Sequence, residues 1–209
     1  INYGDVFIDS MDPNTINEDI NQKHLKKVDT IRSNLLNYSS KFHYIYLSTA
    51  SIYPPTKELI YETNPTMNSF DSDYLYMKYK NENLIKSRSK ATYTIARLVS
   101  AWSDEKENSF FGDLIKSYKC NTYINPREGD DKVISYSNVN DLSKLLTNII
   151  HKRIRGIVNV STEQYDSRRN LKSLVNRDKS ISINDSLGLR IHSSILKWQD
   201  VIDKRITLF

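Results

Sequence analysis

The sequence predicts an α/β fold, a parallel β-sheet with helices on both faces. Runs of β-branched, aliphatic and aromatic residues recur at 4–11, 42–49 and 92–99. Such runs fit buried strands. The segments between them, 17–38 and 74–82, instead repeat their key residues at helical intervals. Strand, helix, strand, helix, strand is the order that builds a parallel sheet, because each return needs a crossover.

Taken in order, Gly4-Asp5-Val6-Phe7-Ile8-Asp9-Ser10-Met11 reads as a short strand, closed by a turn at Asp12-Pro13-Asn14. Leu25, Val28, Ile31, Leu35 and Leu36 then form the inward stripe of a helix that ends at 37–40. Phe42 and Tyr44-Ile45-Tyr46-Leu47 form the next strand, which breaks into the hydroxyl-rich turn Ser48-Thr49-Ala50-Ser51. A polar loop with three prolines covers 54–73, and loops of this kind edge active-site clefts. After a helix carrying Tyr74, Lys78 and Glu82 comes the strand at 92–99. Further on, 110–118 reads as a helix with Phe111, Leu114 and Ile115 inward, and 122–125 and 132–136 as strands around Glu128-Gly129-Asp130-Asp131. Asp141 is expected to cap a helix running to Ile150. In the tail, Leu171, Leu174 and Val175 form one apolar stripe, and Trp198, Val201, Ile202 and Ile206 another.

With 209 residues, 38% of them hydrophobic, the chain suits one domain with a small lobe. We divide it into a core at 1–103 and a C-terminal lobe at 104–209, interleaved with the last sheet elements. No run reaches the roughly 18 apolar residues of a membrane span, and no charged-then-apolar leader opens the chain. A cytoplasmic setting without membrane association is expected. The single cysteine, Cys120, excludes an internal disulfide, and His24, His43, His151 and His192 have no metal-ligand spacing, so no metal is expected. A net charge of +5 raises nucleic acid as a partner, but the 30 basic residues are scattered among 25 acidic ones. Scatter fits a solvated surface or a basic mouth for a nucleotide diphosphate, and no nucleic-acid partner is expected.

The chemistry concentrates between Tyr44 and Glu82. Tyr74, Lys78 and Glu82 stand at i, i+4 and i+8, on one face of a helix. An ammonium beside a phenol favours the phenolate and brings its pKa toward the working range, which makes the tyrosine a candidate general acid or base. A hydroxyl such as that of Thr49 could orient a substrate oxygen beside it. Taken alone, Tyr-x-x-x-Lys is also what a solvated helix of a chain with 14 tyrosines contains.

Leu47-Ser48-Thr49-Ala50-Ser51-Ile52-Tyr53, then Glu62-Thr63-Asn64-Pro65, then Tyr74-x-x-x-Lys78-x-x-x-Glu82 resemble, in order and spacing, the extended short-chain dehydrogenase/reductases. These are nucleotide-sugar epimerases, dehydratases and reductases. The resemblance implies a Rossmann-like parallel sheet, its N-terminal part missing in this chain, with a small C-terminal α/β substrate lobe. It implies NAD or NADP as cofactor and a nucleotide sugar as substrate, and leaves a homodimer open. Residue by residue, it implies Thr49, Tyr74 and Lys78 as the catalytic set. Ser10, Met11, Ser48, Tyr74 and Lys78 would face the cofactor, and Thr49, Ser51 and Ser100 the substrate. Thr49 is followed by Ala50-Ser51 and not by the Asp-Glu of 4,6-dehydratases, which favours an epimerase or a reductase. The chain departs from the family at Pro54, Met77, Ser100 and Ser103.

A dinucleotide's pyrophosphate needs clustered glycines for close backbone approach. The five glycines here, Gly4, Gly112, Gly129, Gly156 and Gly188, are scattered. Two expectations follow. Either an upstream segment supplies that turn in a longer protein, or the chain is an inactive homologue without cofactor that serves as a structural or interaction protein.

Overall fold

The computed structural model describes residues 4–12, 20–37, 42–88, 92–103, 110–176 and 190–193. In chain order the elements are β1 (Asp5–Asp9), α1 (Ile20–Asn37), β2 (Phe42–Thr49), β3 (Leu59–Ile60), α2 (Asp73–Arg88), β4 (Tyr93–Leu98), β5 (Ser100–Trp102), α3 (Phe110–Cys120), β6 (Val133–Asn138), α4 (Val139–Lys152), β7 (Gly156–Val160), β8 (Gln164–Ser167), α5 (Arg168–Asn176) and β9 (Arg190–Ile191). The main sheet has the order β1-β2-β4-β7 with every pairing parallel, and β1 at one edge. This is the parallel α/β architecture expected from the alternation of elements, in the Rossmann-like form that the resemblance implies.

Strands β2, β4 and β7 are buried on both faces because they alternate between two apolar layers, whereas β1, expected as a buried strand, lies at the edge with Ile8 45% exposed. On one side Phe42, Tyr44 and Tyr46 of β2 and Ile95 of β4 pack with Leu36 of α1 and Ile85 of α2. On the other, Ile45, Ala96, Val158 and Val160 pack with Leu142, Leu145 and Ile149 of α4. Each such side chain contributes about 1.5–3 kcal/mol by leaving water. Beyond the main sheet, β5 pairs parallel with β6, and β6 antiparallel with β8. The two-residue strands β3 and β9 clasp each other.

Several local expectations differ from what forms. Ile31 is 39% exposed, whereas Arg32 beside it is fully buried in ion pairs with Asp9 and Asp12. In α5 Leu174 is 66% exposed, and Lys172 and Ser173 are the buried residues. Residues 122–125 form no strand, because the Asn176 side-chain amide satisfies both backbone groups of Ile124, at 3.0 and 2.9 Å. Helix α4 starts two residues before Asp141, and its N-cap is Asn138, which accepts from the Asn140 N–H at 2.9 Å. Asp141 pairs with Lys144 instead. Strands β5 and β8 were not expected. The stripe of Trp198, Val201, Ile202 and Ile206 lies outside the described residues.

His43, buried on β2, provides a pH test of the core. Its Nε2 lies 2.7 Å from Thr94 Oγ1, and that hydroxyl donates to the Ile154 carbonyl. Nε2 therefore carries the proton, and Nδ1 is a buried nitrogen without a hydrogen-bond partner among the described residues. Burial, then Arg153 and Arg155, push His43 below its ordinary value of 6.5, and the Ile154 carbonyl opposes them only in part. A group with a depressed folded-state pKa binds fewer protons folded than unfolded. Its stabilisation is complete above 6.5 and declines as pH falls below that value. Urea unfolding at a series of pH values should show this decline between neutral and mildly acidic pH, and His43→Gln should flatten it.

Candidate functional site

Helix α2 docks on the sheet through polar groups. Its buried residues are Lys78, Asn81, Glu82 and Ile85, and only the last is apolar. Each of the other three has partners that repay its desolvation. Lys78 Nζ donates to the Leu47 carbonyl at the end of β2 (2.8 Å) and pairs with Asp12 Oδ2 (3.1 Å). Asn81 Nδ2 donates to Asp12 Oδ1 at 3.1 Å and contacts the Tyr46 hydroxyl at 3.3 Å. Glu82 takes two bonds from the Arg97 guanidinium, at 3.0 and 2.6 Å, and one from Ser48 Oγ at 2.7 Å. Arg97 donates further to the Tyr53 hydroxyl (2.6 Å), which donates to Asn159 Oδ1 (2.9 Å).

Asp12 is the hub where β1, α1, β2 and α2 meet. It also accepts from Arg32 Nη2 (2.8 Å) and from the Tyr46 hydroxyl. Burial by itself would raise its carboxyl, but Arg32, Lys78 and the Tyr46 hydroxyl outweigh that, and it lies below its ordinary value. Arg32 grips Asp9 as well, and the Tyr44 hydroxyl donates to the same carboxylate. None of Asp12, Arg32 and Asn81 was expected as a site residue from the sequence. The available signal was Arg32, a charged residue inside an otherwise apolar helical stripe.

The expected site residues fall into three groups. Tyr74 and Lys78 are neighbours on α2, the ammonium 5.6 Å from the centre of the Tyr74 ring. Thr49 closes β2 and caps the short 3-10 turn Ala50–Ile52, its Oγ1 accepting from the Ser51 N–H at 3.2 Å. That bond leaves the hydroxyl proton for a ligand. Ser10 and Met11 follow β1, Ser10 exposed and Met11 tied by its N–H to Asp9 Oδ1 at 3.1 Å. These residues share the carboxyl ends of β1 and β2, the edge at which open α/β sheets bind ligands. Ser51 and Ser100 are exposed, the latter at the start of β5. Ser48 is apart from the others, since its hydroxyl is spent on buried Glu82.

One electrostatic expectation is reversed. Lys78 was expected to lower the Tyr74 phenol, but burial and, after it, the Asp12 carboxylate push Tyr74 above its ordinary value of 10.0. The ammonium's charge is taken up by Asp12.

Between α3 and α5 a cavity of about 320 Å³ is lined by Phe110, Leu114, Arg127, Arg168 and Lys172, among others. The Arg168 guanidinium lies over the Phe110 ring at 5.2 Å. Lys172 pairs with Asp130 at 2.6 Å, and Arg169 holds Asp131. Among the described residues no group of His, Cys, Asp and Glu could hold a metal ion, and no helix is long and apolar enough to cross a membrane.

For a dinucleotide the fit is one-sided. Tyr74 and Lys78 suit a hydroxyl-bearing ribose, but the end of β1 presents Asp9 and Asp12, and no glycine stands between Asp5 and Asp12. Both carboxylates are buried and already neutralised within the protein, so this edge offers a pyrophosphate neither free positive charge nor close backbone approach.

No known protein family matches the chain by sequence profile, and no curated protein matches it. Solved structures do. Pal from Bacillus thuringiensis superposes with a TM-score of 0.69 at 16% identity, covering 96% of this chain and 70% of Pal. TunA, an NAD-dependent NDP-hexosamine 5,6-dehydratase involved in tunicamycin biosynthesis, gives 0.72 at 14% identity, covering 94% of this chain and 70% of TunA. The UDP-glucose 4-epimerase of Thermus thermophilus, solved with NAD, gives 0.65 at 13% identity, covering 91% of this chain and 65% of the epimerase. At these identities the likeness is one of fold alone, the Rossmann-like α/β fold of TunA and the epimerase.

Proposed function

We propose that the chain serves, as part of a longer protein, an NAD(P)-dependent nucleotide-sugar epimerase or reductase. The observation that carries this reading is the pairing of Tyr74 and Lys78 at the carboxyl ends of β1 and β2, where Thr49 also ends. Tyr74 is the proton donor or acceptor at the sugar oxygen, Thr49 orients that oxygen, and Lys78 holds a ribose hydroxyl. A bound nicotinamide would supply hydride exchange at the sugar carbon, with Lys78 the residue to hold its ribose. Like any phenol, Tyr74 is protonated at neutral pH and would first act as an acid, and burial and Asp12 make it a weaker one until a ligand changes its surroundings. We assign the nucleotide half of the substrate to the cavity beside Phe110. Arg168 over the ring and Arg127 at the wall suit a base and a diphosphate, with Asp130 already paired to Lys172 and Asp113 and Glu128 the lining carboxylates that a diphosphate would have to avoid.

Calorimetric titration tests the reading. The 209-residue chain should bind neither NADH nor NADPH, and binding should emerge when an upstream segment of roughly 50–70 residues, about two βα units, is added. With a keto-sugar nucleotide, the longer protein should then give a product heavier by two hydrogens if it is a reductase, or an isomer of equal mass resolved by chromatography if it is an epimerase. Absence of nucleotide binding in both forms would leave the second reading, an inactive homologue that serves as an interaction protein. That reading draws support from the Asp12–Lys78 pair, which already occupies the ammonium a ribose would need.

A further inference from the structure

Lys78 is held more firmly than a ligand-seeking lysine on a helix surface needs to be. Two of its three N–H groups are committed within the protein, one to the Leu47 carbonyl and one to Asp12 Oδ2. Its Nζ also lies 5.1 Å from the centre of the Tyr46 ring and 5.6 Å from that of Tyr74. Asp12 in turn is fixed from three elements, by Arg32 of α1, Tyr46 of β2 and Asn81 of α2, so its carboxylate cannot swing away without breaking buried bonds. Asp9, gripped by the same guanidinium, backs this arrangement from β1.

We propose that Asp12 is a positioning residue for the Tyr74–Lys78 pair: its carboxylate ties the Lys78 ammonium to the end of β2 beside Tyr74, and a ligand oxygen must share or displace that contact. This rests on the reading that Tyr74 and Lys78 face the ligand. The charged and titratable groups around the pair are Asp9, Asp12, Arg32, Tyr46 and Tyr74 itself, and of these Asp12 is the one that bonds Lys78 directly. The consequence is an ammonium whose contact with a ligand is set by Asp12.

Amine acylation of the folded chain, quantified by mass spectrometry, tests the tie. Lys78 should label at least about tenfold more slowly than exposed Lys80 of the same helix, and Asp12→Asn should remove about tenfold of that protection, the factor that accompanies loss of one charge-assisted hydrogen bond. Lys172, buried against Asp130 elsewhere, reports on folding and should not change. If it does change, Asp12→Ser, which keeps an acceptor for Arg32 and Tyr46, replaces the first variant. Asp12→Glu should restore protection. A purely structural role would not move the second readout, the ultraviolet titration of Tyr74 taken as the difference from Tyr74→Phe, whose midpoint should fall in Asp12→Asn. Equal labelling of Lys78 and Lys80 in the unaltered chain would overturn the proposal. So would an unchanged labelling ratio or an unchanged Tyr74 midpoint in the folded variant. No cofactor or substrate enters these measurements, so they stand or fall separately from nucleotide binding.

Discussion

Replacing Arg97 by Met should cost about 3–5 kcal/mol of stability in urea unfolding, a large share of the roughly 5–15 kcal/mol of an ordinary domain. Arg97 and Glu82 are each almost completely withdrawn from solvent, and the guanidinium donates twice to the carboxylate and once to the Tyr53 hydroxyl. Methionine fills much of the same volume but leaves Glu82 charged and buried, with Ser48 and a peripheral contact to Lys86 as its remaining partners in the network. The removal of one partner is what makes the cost large. Arg97→Met combined with Glu82→Leu should therefore recover most of the loss, because two apolar groups can replace a buried ion pair at little cost. A loss below about 1 kcal/mol in the single variant would mean that water reaches the pair and that the α2 dock is looser than its geometry.

Which parts of this arrangement were legible in the sequence follows from what each signal depends on. The parallel sheet was legible because β2 and β4 are central strands, and burial on both faces leaves a continuous apolar run such as Tyr44-Ile45-Tyr46-Leu47. Tyr74 and Lys78 were legible as neighbours because i, i+4 spacing is a property of any helix. Their electrostatics were not. The Tyr74 shift is set first by burial and then by Asp12, 62 residues upstream, and sequence spacing carries neither the burial nor a carboxylate brought in by the fold. The same limit explains α1 and α5. Arg32 and Lys172 interrupt apolar stripes and read as surface residues, yet each is buried because a distant aspartate, Asp9 or Asp130, neutralises it. The failed strand at 122–125 is a case of local propensity yielding to one side-chain amide, that of Asn176.

On the proposed reading, Tyr74→Phe in a longer form that binds NADH should lower kcat for keto-sugar reduction by about 10²–10⁴-fold while leaving the affinities for NADH and for the nucleotide sugar nearly unchanged. Phenylalanine keeps the ring that lies beside Lys78 and removes only the proton that the sugar oxygen would take. The pH profile gives an independent check on the same residue. A proton donor works while protonated, and Tyr74 is raised by burial and by Asp12, so the rate should hold through neutral pH and fall only above the ordinary tyrosine value of 10.0. That alkaline limb should vanish in Tyr74→Phe and move toward neutrality in Asp12→Asn. If Tyr74→Phe retained activity within a factor of about ten, the proton would have to come from elsewhere, and Thr49, the remaining hydroxyl at the end of β2, would be the residue to vary next.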